Sequence, residues 1–290
     1  MKPMFIDTHA HAYRRPCPFP NRFALPHELL QLYDRLGVER ACLLPLPGPE
    51  VYLPQSNDEI FDMAEQWPDR FIPFCNVDPR ALTNSATAPF GELFRYYRDR
   101  GCKGLGEFMP NLPWLDPLVQ NVLRHAQDVG FPLVFDGAVR LSGTYGIYDD
   151  PGLPQLERCL QRFEKLVFIG HGPPFWTEIS RIDPSVVADR YPKTPVREEG
   201  RVPYLMRTYP NLWADLSAGS GYGALARDPD HAVRFLSEFQ DRLMFGLDLC
   251  DPNGPAPLVP FLCDLRERGC ISEAVFQKIA RENAIRLLKL

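Results

Sequence analysis

Eight short apolar runs, spread evenly along the chain and separated by amphipathic stretches, constrain this sequence more than any other feature. They are Met4-Phe5-Ile6, Ala41-Cys42-Leu43-Leu44, Phe71-Ile72-Pro73-Phe74, Cys102-Lys103-Gly104-Leu105, Leu133-Val134-Phe135, Leu166-Val167-Phe168-Ile169, Leu212-Trp213-Ala214 and Leu243-Met244-Phe245. Near-continuous apolar character over so few residues is what strands buried on both faces show. Helical patterns fill the gaps. One runs from Pro26 to Leu36 and is stopped by Gly37, one is opened by Ser56 as N-cap, and one runs from Asp116 to Val129 and ends at Gly130. Leu153 to Phe163, Asp228 to Phe239, Pro257 to Arg268 and Ser272 to Leu288 read the same way, and the long crossover from His171 to Pro210 has room for two short helices. Strand then helix, eight times over, predicts an α/β fold of the (β/α)8 TIM-barrel type, a single domain over residues 1–290 with long strand-to-helix loops. An open doubly wound sheet would need a Gly-rich phosphate turn after the first strand, and Asp7-Thr8-His9-Ala10-His11 stands there instead.

Charge removes whole classes of function. Lys and Arg total 32 against 37 Asp and Glu, a formal charge of −5. A nucleic-acid binder working through phosphate contacts needs a basic stripe, and the longest basic cluster is Arg14-Arg15. No apolar run reaches the roughly 18 residues of a membrane span, and no charged-then-apolar leader opens the sequence, so the expected location is the cytoplasm. The eight cysteines form no CxxC pair and sit mostly inside apolar runs, as small reduced hydrophobes do. Proline, 31 of 290 residues, interleaves with apolar segments and so predicts shaped loops rather than disorder.

In a barrel of this kind the working residues lie at the C-terminal ends of the strands. The residues there are Asp7-Thr8-His9-Ala10-His11, Gly106-Glu107, Asp136, Gly170-His171, Asp215 and Gly246-Leu247-Asp248. His9 and His11 are two apart on an extended segment, so their imidazoles share a face and form a natural chelate for Zn²⁺. His171, before Gly172-Pro173-Pro174, is placed as a ligand or a proton shuttle. Asp248 could bind a cation through one oxygen and accept a proton through the other. Glu107 and Asp136 are candidate metal ligands, weighed against holding a loop or pairing with an Arg such as Arg140, and Asp215 can likewise hold a loop or pair with an Arg. Glu107, Asp136 and Asp248 ionised together would repel one another, which a divalent cation relieves. His27, His125 and His231 read as structural or surface residues, and neither a nucleophile elbow nor a phosphate loop occurs.

This set of residues resembles the amidohydrolase superfamily. The likeness is strongest to its amidohydrolase-related branch of metal-dependent hydrolases and decarboxylases of the aminocarboxymuconate-semialdehyde type. It runs from Ile6-Asp7-Thr8-His9 to Glu282-Asn283-Ala284 and rests on His9-x-His11, His171 and Asp248. The resemblance implies that His9, His11 and Asp248 hold metal, that Asp248 takes a proton from activated water, and that His171 is a further ligand or polarises the substrate. Where the family has a strand-5 histidine, Pro132-Leu133-Val134-Phe135 leads here to Asp136, an oxygen ligand or the mark of an altered site. Glu107 resembles the strand-4 glutamate that binds metal in the deoxyribonuclease-like branch.

Ser217-Ala218-Gly219-Ser220-Gly221 suits close approach of a ligand, Trp176 with Phe175, and Tyr145, read as aromatic walls of the mouth, and Arg14, Arg15 and Arg140 as partners for a substrate carboxylate. The expected protein is a metal-dependent hydrolase of a small organic substrate, carboxylated in one version of this reading. Its cofactor is Zn²⁺, or Mn²⁺ if Glu107 and Asp136 both bind. A non-oxidative decarboxylase, a metal-free lactonase on the same barrel, and a barrel that binds without turnover stand as the other readings. Neither nucleic acid nor membrane is an expected partner, and a homo-oligomer is compatible with the sequence.

Overall fold

Burial on both faces is what the apolar runs need, and the fold supplies it by rolling the strands into a parallel barrel inside a layer of helices. The computed structural model describes residues 5–18, 22–181 and 191–290. Its strands are β1 (Phe5–Ala10), β2 (Val38–Leu43), β3 (Phe71–Pro73), β4 (Leu105–Phe108), β5 (Leu133–Ala138), the two-residue β6 (Ile147–Tyr148), β7 (Phe168–His171), β8 (Leu212–Asp215) and β9 (Leu243–Met244). The helices are α1 (Pro26–Leu36), α2 (Asn57–Gln66), α3 (Phe90–Asp99), α4 (Pro117–Val129), α5 (Pro154–Arg162), α6 (Pro173–Thr177), α7 (Arg201–Thr208), α8 (Ala218–Ala226), α9 (Pro229–Glu238), α10 (Leu258–Glu267), α11 (Glu273–Gln277) and α12 (Asn283–Leu288).

Parallel pairing runs β1-β2-β3 and β4-β5-β7-β8-β9, with β6 on the end of β5. Backbone hydrogen bonds close the two gaps. Cys75 N donates to Gly104 O (3.0 Å) and Gly106 N to Cys75 O (2.9 Å), while Thr8 N donates to Phe245 O (3.0 Å) and Asp248 N to His9 O (2.8 Å). The period-2 alternation of a strand then sorts the side chains. Ile6, Cys42, Leu44, Ile72, Phe74, Val134, Ile169, Trp213 and Met244 form one buried cluster, the barrel interior. Their chain neighbours Phe5, Ala41, Leu43, Phe71, Leu133, Phe135, Phe168, Leu212, Ala214 and Leu243 belong to the other, between barrel and helices. Ala284 and Leu288 of α12 join the inner cluster, so the C-terminal helix floors the barrel. Every strand therefore ends at the opposite rim, where polar residues are free to converge.

Boundaries differ from the sequence expectation in informative ways. The first strand runs on to Ala10, so His9 lies inside it. The fourth begins at Leu105, where the expected run ended, and Gly104 precedes it because a Cβ there would stand 2.3 Å from the Phe74 ring. Helix α3 escaped the pattern because it starts at Pro89-Phe90-Gly91 with no capping side chain. The expected helix from Ser272 to Leu288 is α11 and α12 joined by a π-helical turn over Lys278–Glu282. The crossover from His171 does carry two short helices, α6 and α7, and residues 182–190 of it lie outside the described residues. Among the described residues no helix is long and apolar enough to cross a membrane.

The floor generates a stability prediction. Leu288→Ala removes a buried side chain that α12 sets against the inner cluster, and it should cost roughly 2–4 kcal/mol. Urea unfolding should show a lower midpoint at unchanged slope; an unchanged midpoint would mean that α12 does not seal the barrel.

Candidate metal centre

The rim is built strand by strand, starting from Asp7. This fully buried carboxylate accepts from the His9 amide (3.0 Å), the Leu247 amide (2.9 Å) and the Tyr33 hydroxyl (2.7 Å). It thus ties β1 to α1 and to the turn after β9, and burial raises its carboxyl to about 6. That turn carries Asp248 in the left-handed region, φ 49°, held by its amide bond to His9 O.

Five side chains meet above the inner core. His9 Nε2 lies 3.2 Å from His11 Nε2, 3.5 Å from Glu107 Oε2 and 3.8 Å from Asp248 Oδ1. His11 Nε2 is 3.2 Å from Glu107 Oε2 and 3.3 Å from Asp248 Oδ1. His171 Nε2 is 3.8 Å from Glu107 Oε1 and 3.5 Å from Asp248 Oδ2. The donor atoms of His9, His11 and Asp248, and those of His9, Glu107 and His171, fall within 4.8 Å of one another.

The far nitrogens fix which atoms can bind. His11 Nδ1 stands 2.9 Å from the Leu44 carbonyl, which only accepts, so Nδ1 carries the proton. His9 Nδ1 and His171 Nδ1 lie 2.9 Å and 3.0 Å from the two oxygens of Asp215. In the neutral imidazoles all three Nε2 atoms then present lone pairs to the rim, His9 in common between the two converging groups, as carboxylate–histidine pairs arrange them at metal sites. Two lone pairs 3.2 Å apart repel. A proton or a cation must lie between them, and two nitrogens bound to one tetrahedral ion would sit about 3.3 Å apart. The donor set therefore fits a divalent cation.

Without a cation, protons fill the same role. Burial and the neighbouring His171 oppose a charge on His9, yet Asp248 and Asp215 outweigh them and raise it to about 10. Burial likewise opposes a charge on His11, but Asp248 and Glu107 lift it to about 9. Burial also disfavours ionised Glu107 and Asp248; the histidines nevertheless hold Glu107 down at about 2 and Asp248 well below the usual carboxylate range.

Asp136, expected as an oxygen ligand, ends outside both converging groups. It faces His171 across the β5–β7 register, and burial with the charge of Glu107 pushes it up to about 8. Its Oδ1 has no hydrogen-bond partner. Gly172, at φ +86°, makes way for it, since a Cβ there would come within 1.7 Å of that oxygen. Tyr145 is half exposed, lining a surface pocket with Glu50, Arg80 and Asn111, and partial burial with the charges of Asp136, Glu107 and Asp248 raises its phenol. Trp176 lies behind the centre, only 1% exposed, its indole N–H donating to the Asp215 carbonyl (3.1 Å). Arg140 is exposed and donates to Gly143 O in its own loop (3.1 Å), and Arg14 pairs with Asp62. Among the described residues Asp215 pairs with no arginine. Its service to two histidines, and the Ser217 amide and hydroxyl that support it, went unread in the sequence. The signal was there: each buried imidazole needs an acceptor, and Asp215 ends the strand next to His171.

A family model described as amidohydrolase matches residues 6–290. The chain belongs to the amidohydrolase family. Members of this family are enzymes, and so is this chain. No curated protein matches it by sequence. Among solved structures it is similar to 5-carboxyvanillate decarboxylase from Sphingomonas paucimobilis, at 17% identity over 99% of each chain with a TM-score of 0.64. It is also similar to an uncharacterised TIM-barrel protein from Bordetella bronchiseptica (16% identity, 99% and 98% covered, TM-score 0.63). A third similar structure is a probable 2-pyrone-4,6-dicarboxylic acid hydrolase from Acinetobacter baumannii with citric acid bound (14% identity, both chains fully covered, TM-score 0.58). At these identities the likeness is one of fold, and it agrees with the barrel described above.

The protonation of the centre and its brace generate three predictions. Metal binding near pH 7 should expel more than one proton per ion, measured by calorimetry in buffers of different ionisation heat. Because the imidazole pKa values lie above their ordinary 6.5, the stability they give the metal-free fold is complete below that pH. It is lost as pH rises through about 9 to 10, so the metal-free melting temperature should fall there while that of the loaded protein holds. Asp215→Asn places an amide N–H against one imidazole N–H and should weaken metal binding about 10- to 100-fold in a chelator competition; parent-like affinity would strip Asp215 of its orienting role.

Proposed function

We propose that this amidohydrolase-family enzyme is a metal-dependent hydrolase of a small organic substrate, acting as one catalytic domain. The observation that carries the reading is the set of three imidazoles whose Nδ1 atoms are all engaged and whose Nε2 atoms face two carboxylates. His9, His11, Glu107, His171 and Asp248 would hold one divalent cation. Mixed imidazole and carboxylate donors favour Zn²⁺, with Mn²⁺ the alternative for a more oxygen-rich set. The bound cation supplies Lewis acidity, lowering the cost of deprotonating water at neutral pH and drawing electron density from a carbonyl.

The chain's own residues do the rest. Asp248 is the donor most open to the mouth, its side chain 19% exposed against 7% for Glu107. Its carboxylate takes the proton from the attacking water and can return it to the leaving group. His171 is held at Nδ1 by Asp215 and Ser217, so its Nε2 stays aimed at the site as the reaction proceeds. All eight cysteines are free, which supports a reducing compartment such as the cytoplasm.

Both a decarboxylase and a hydrolase stand among the similar folds, so the deciding assay pairs the two chemistries. Esters, lactones and amides are screened for hydrolysis, and small aromatic acids for CO₂ release. The expected result is hydrolysis by protein carrying about one divalent ion per chain. CO₂ release without hydrolysis would move the enzyme to the decarboxylases, and protein that binds no metal on addition would overturn both. At saturating metal, Asp248→Asn should fold and lose about 10²- to 10⁴-fold in rate. Near-parent turnover would exclude Asp248 as the base.

A further inference from the structure

Beside the centre, between α6 and α8, opens a cavity of about 420 Å³ that none of the five metal-facing side chains lines. Trp176, Tyr191 and Tyr222 give it aromatic walls, and a Cβ on its Gly223 would meet nothing within 4 Å. Two cations, Lys193 and Arg227, also line it. Many guanidinium groups of the chain are spent on carboxylates, among them Arg80 on Asp78 and Glu50 and Arg207 on Glu199 and Glu238.

Arg227 is different. Its Nη2 donates to the Ser180 hydroxyl (2.8 Å) and its Nη1 to the Thr194 carbonyl (3.3 Å), both neutral acceptors. Its Nε is buried without a partner. The adjacent Asp228 turns its oxygens to the amides of His231 and Val196, 3.0 Å each. Burial lowers the Arg227 pKa, with only Asp228 opposing. Among the described residues Lys193 makes no ion pair. A third group points the same way: Ser220, 4% exposed, lines the cavity with a hydroxyl that has no hydrogen-bond partner. A half-buried cation without a counter-ion and a buried hydroxyl without a partner each cost free energy that a ligand's anionic oxygens would return.

We propose that this cavity binds a small organic anion with a flat apolar body. Arg227, Lys193 and the Ser220 hydroxyl receive the anionic group through charge-assisted hydrogen bonds, and Trp176, Tyr191 and Tyr222 cover the body. The site neighbours the reaction centre through one shared support. Trp176 donates to the Asp215 carbonyl, and Ser217, which precedes α8, contacts both Asp215 and His171. Nothing in the site depends on which reaction the centre performs.

Benzoate is the probe, with benzamide as its uncharged isostere, titrated by calorimetry into the metal-loaded full chain. Benzoate should bind saturably, and benzamide about tenfold more weakly or worse. Arg227→Gln should weaken benzoate by about tenfold at unchanged metal content. Lys193→Gln, at an exposed position that cannot threaten the fold, should weaken it in the same direction. Absence of saturable benzoate binding, or equal binding of the two probes, would overturn the proposal. So would parent-like benzoate affinity in both variants, which would place the anion at the metal centre instead.

Discussion

The geometry of the centre depends on one carboxylate shared between two histidines. Asp215 is fully buried at the end of β8, and its two oxygens take the Nδ1 protons of His9 on β1 and His171 on β7. A charge in such a place costs several kcal/mol unless its lone pairs are filled. Here the two imidazoles, the Ser217 amide and the Ser217 hydroxyl fill them, and the carboxyl is held far below its ordinary pKa although burial works against it. The pairing spans strands that lie on either side of β8, so it exists only if the barrel closes. Closure in turn is made by short backbone joints, two of which, Thr8 to Phe245 and Asp248 to His9, sit at the site itself. Fold and centre are therefore coupled through the same few bonds.

The barrel divides its labour along its axis. Toward the floor, Ile6, Ile169, Trp213 and Met244 meet Leu288 and Ala284, and the hydrophobic effect does the stabilising. Toward the rim, the side chains that replace them are titratable and lie within a few ångströms of one another. Their mutual neutralisation, by protons or by a cation, is what makes that layer tolerable in a dry interior. A polar layer of this kind adds little net stability, and the apolar floor is what allows the fold to carry it.

The sequence makes the barrel and most of the centre legible for the same reason. Strands buried on both faces must be apolar until they surface, so the first polar residue after each run marks the rim, and His9, His11, Glu107, His171 and Asp248 all stand there. What escapes is whatever depends on the contact of distant segments. Asp215 was visible as a strand-end carboxylate, but its partner His9 is 206 residues away and the bond follows from barrel closure alone. Trp176 reads as a wall of the mouth because it follows a strand end; the short helix α6 carries it behind the centre, against Phe175 and Phe235, where it lines the neighbouring cavity instead. Arg14 and Arg140 looked like carboxylate receptors, and their loops give them local acceptors, Asp62 and Gly143. The cavity cations Lys193 and Arg227 carry no motif, because only the meeting of α6, α8 and residues 191–193 sets them around one space.

Strand 5 is where this chain departs from the histidine pattern of the family it resembles, and charge counting bears on what the change does. With neutral imidazoles, Glu107, Asp248 and Asp215 bring three negative charges to the rim, against two on a divalent cation. Ionising Asp136 would add a fourth in the same buried volume, next to Glu107 and with no hydrogen bond to its Oδ1. Desolvation and like charge both oppose that, so electrostatics favours a carboxyl that keeps its proton. A protonated Asp136 is a poor ligand but a hydrogen-bond donor. Gly172 supports that reading, because its missing side chain leaves the carboxyl a fitted space beside the His171 turn rather than a position among the converging donors. A carboxyl that keeps its proton there would be placed to donate to a bound ligand rather than to join His9, His11, Glu107, His171 and Asp248.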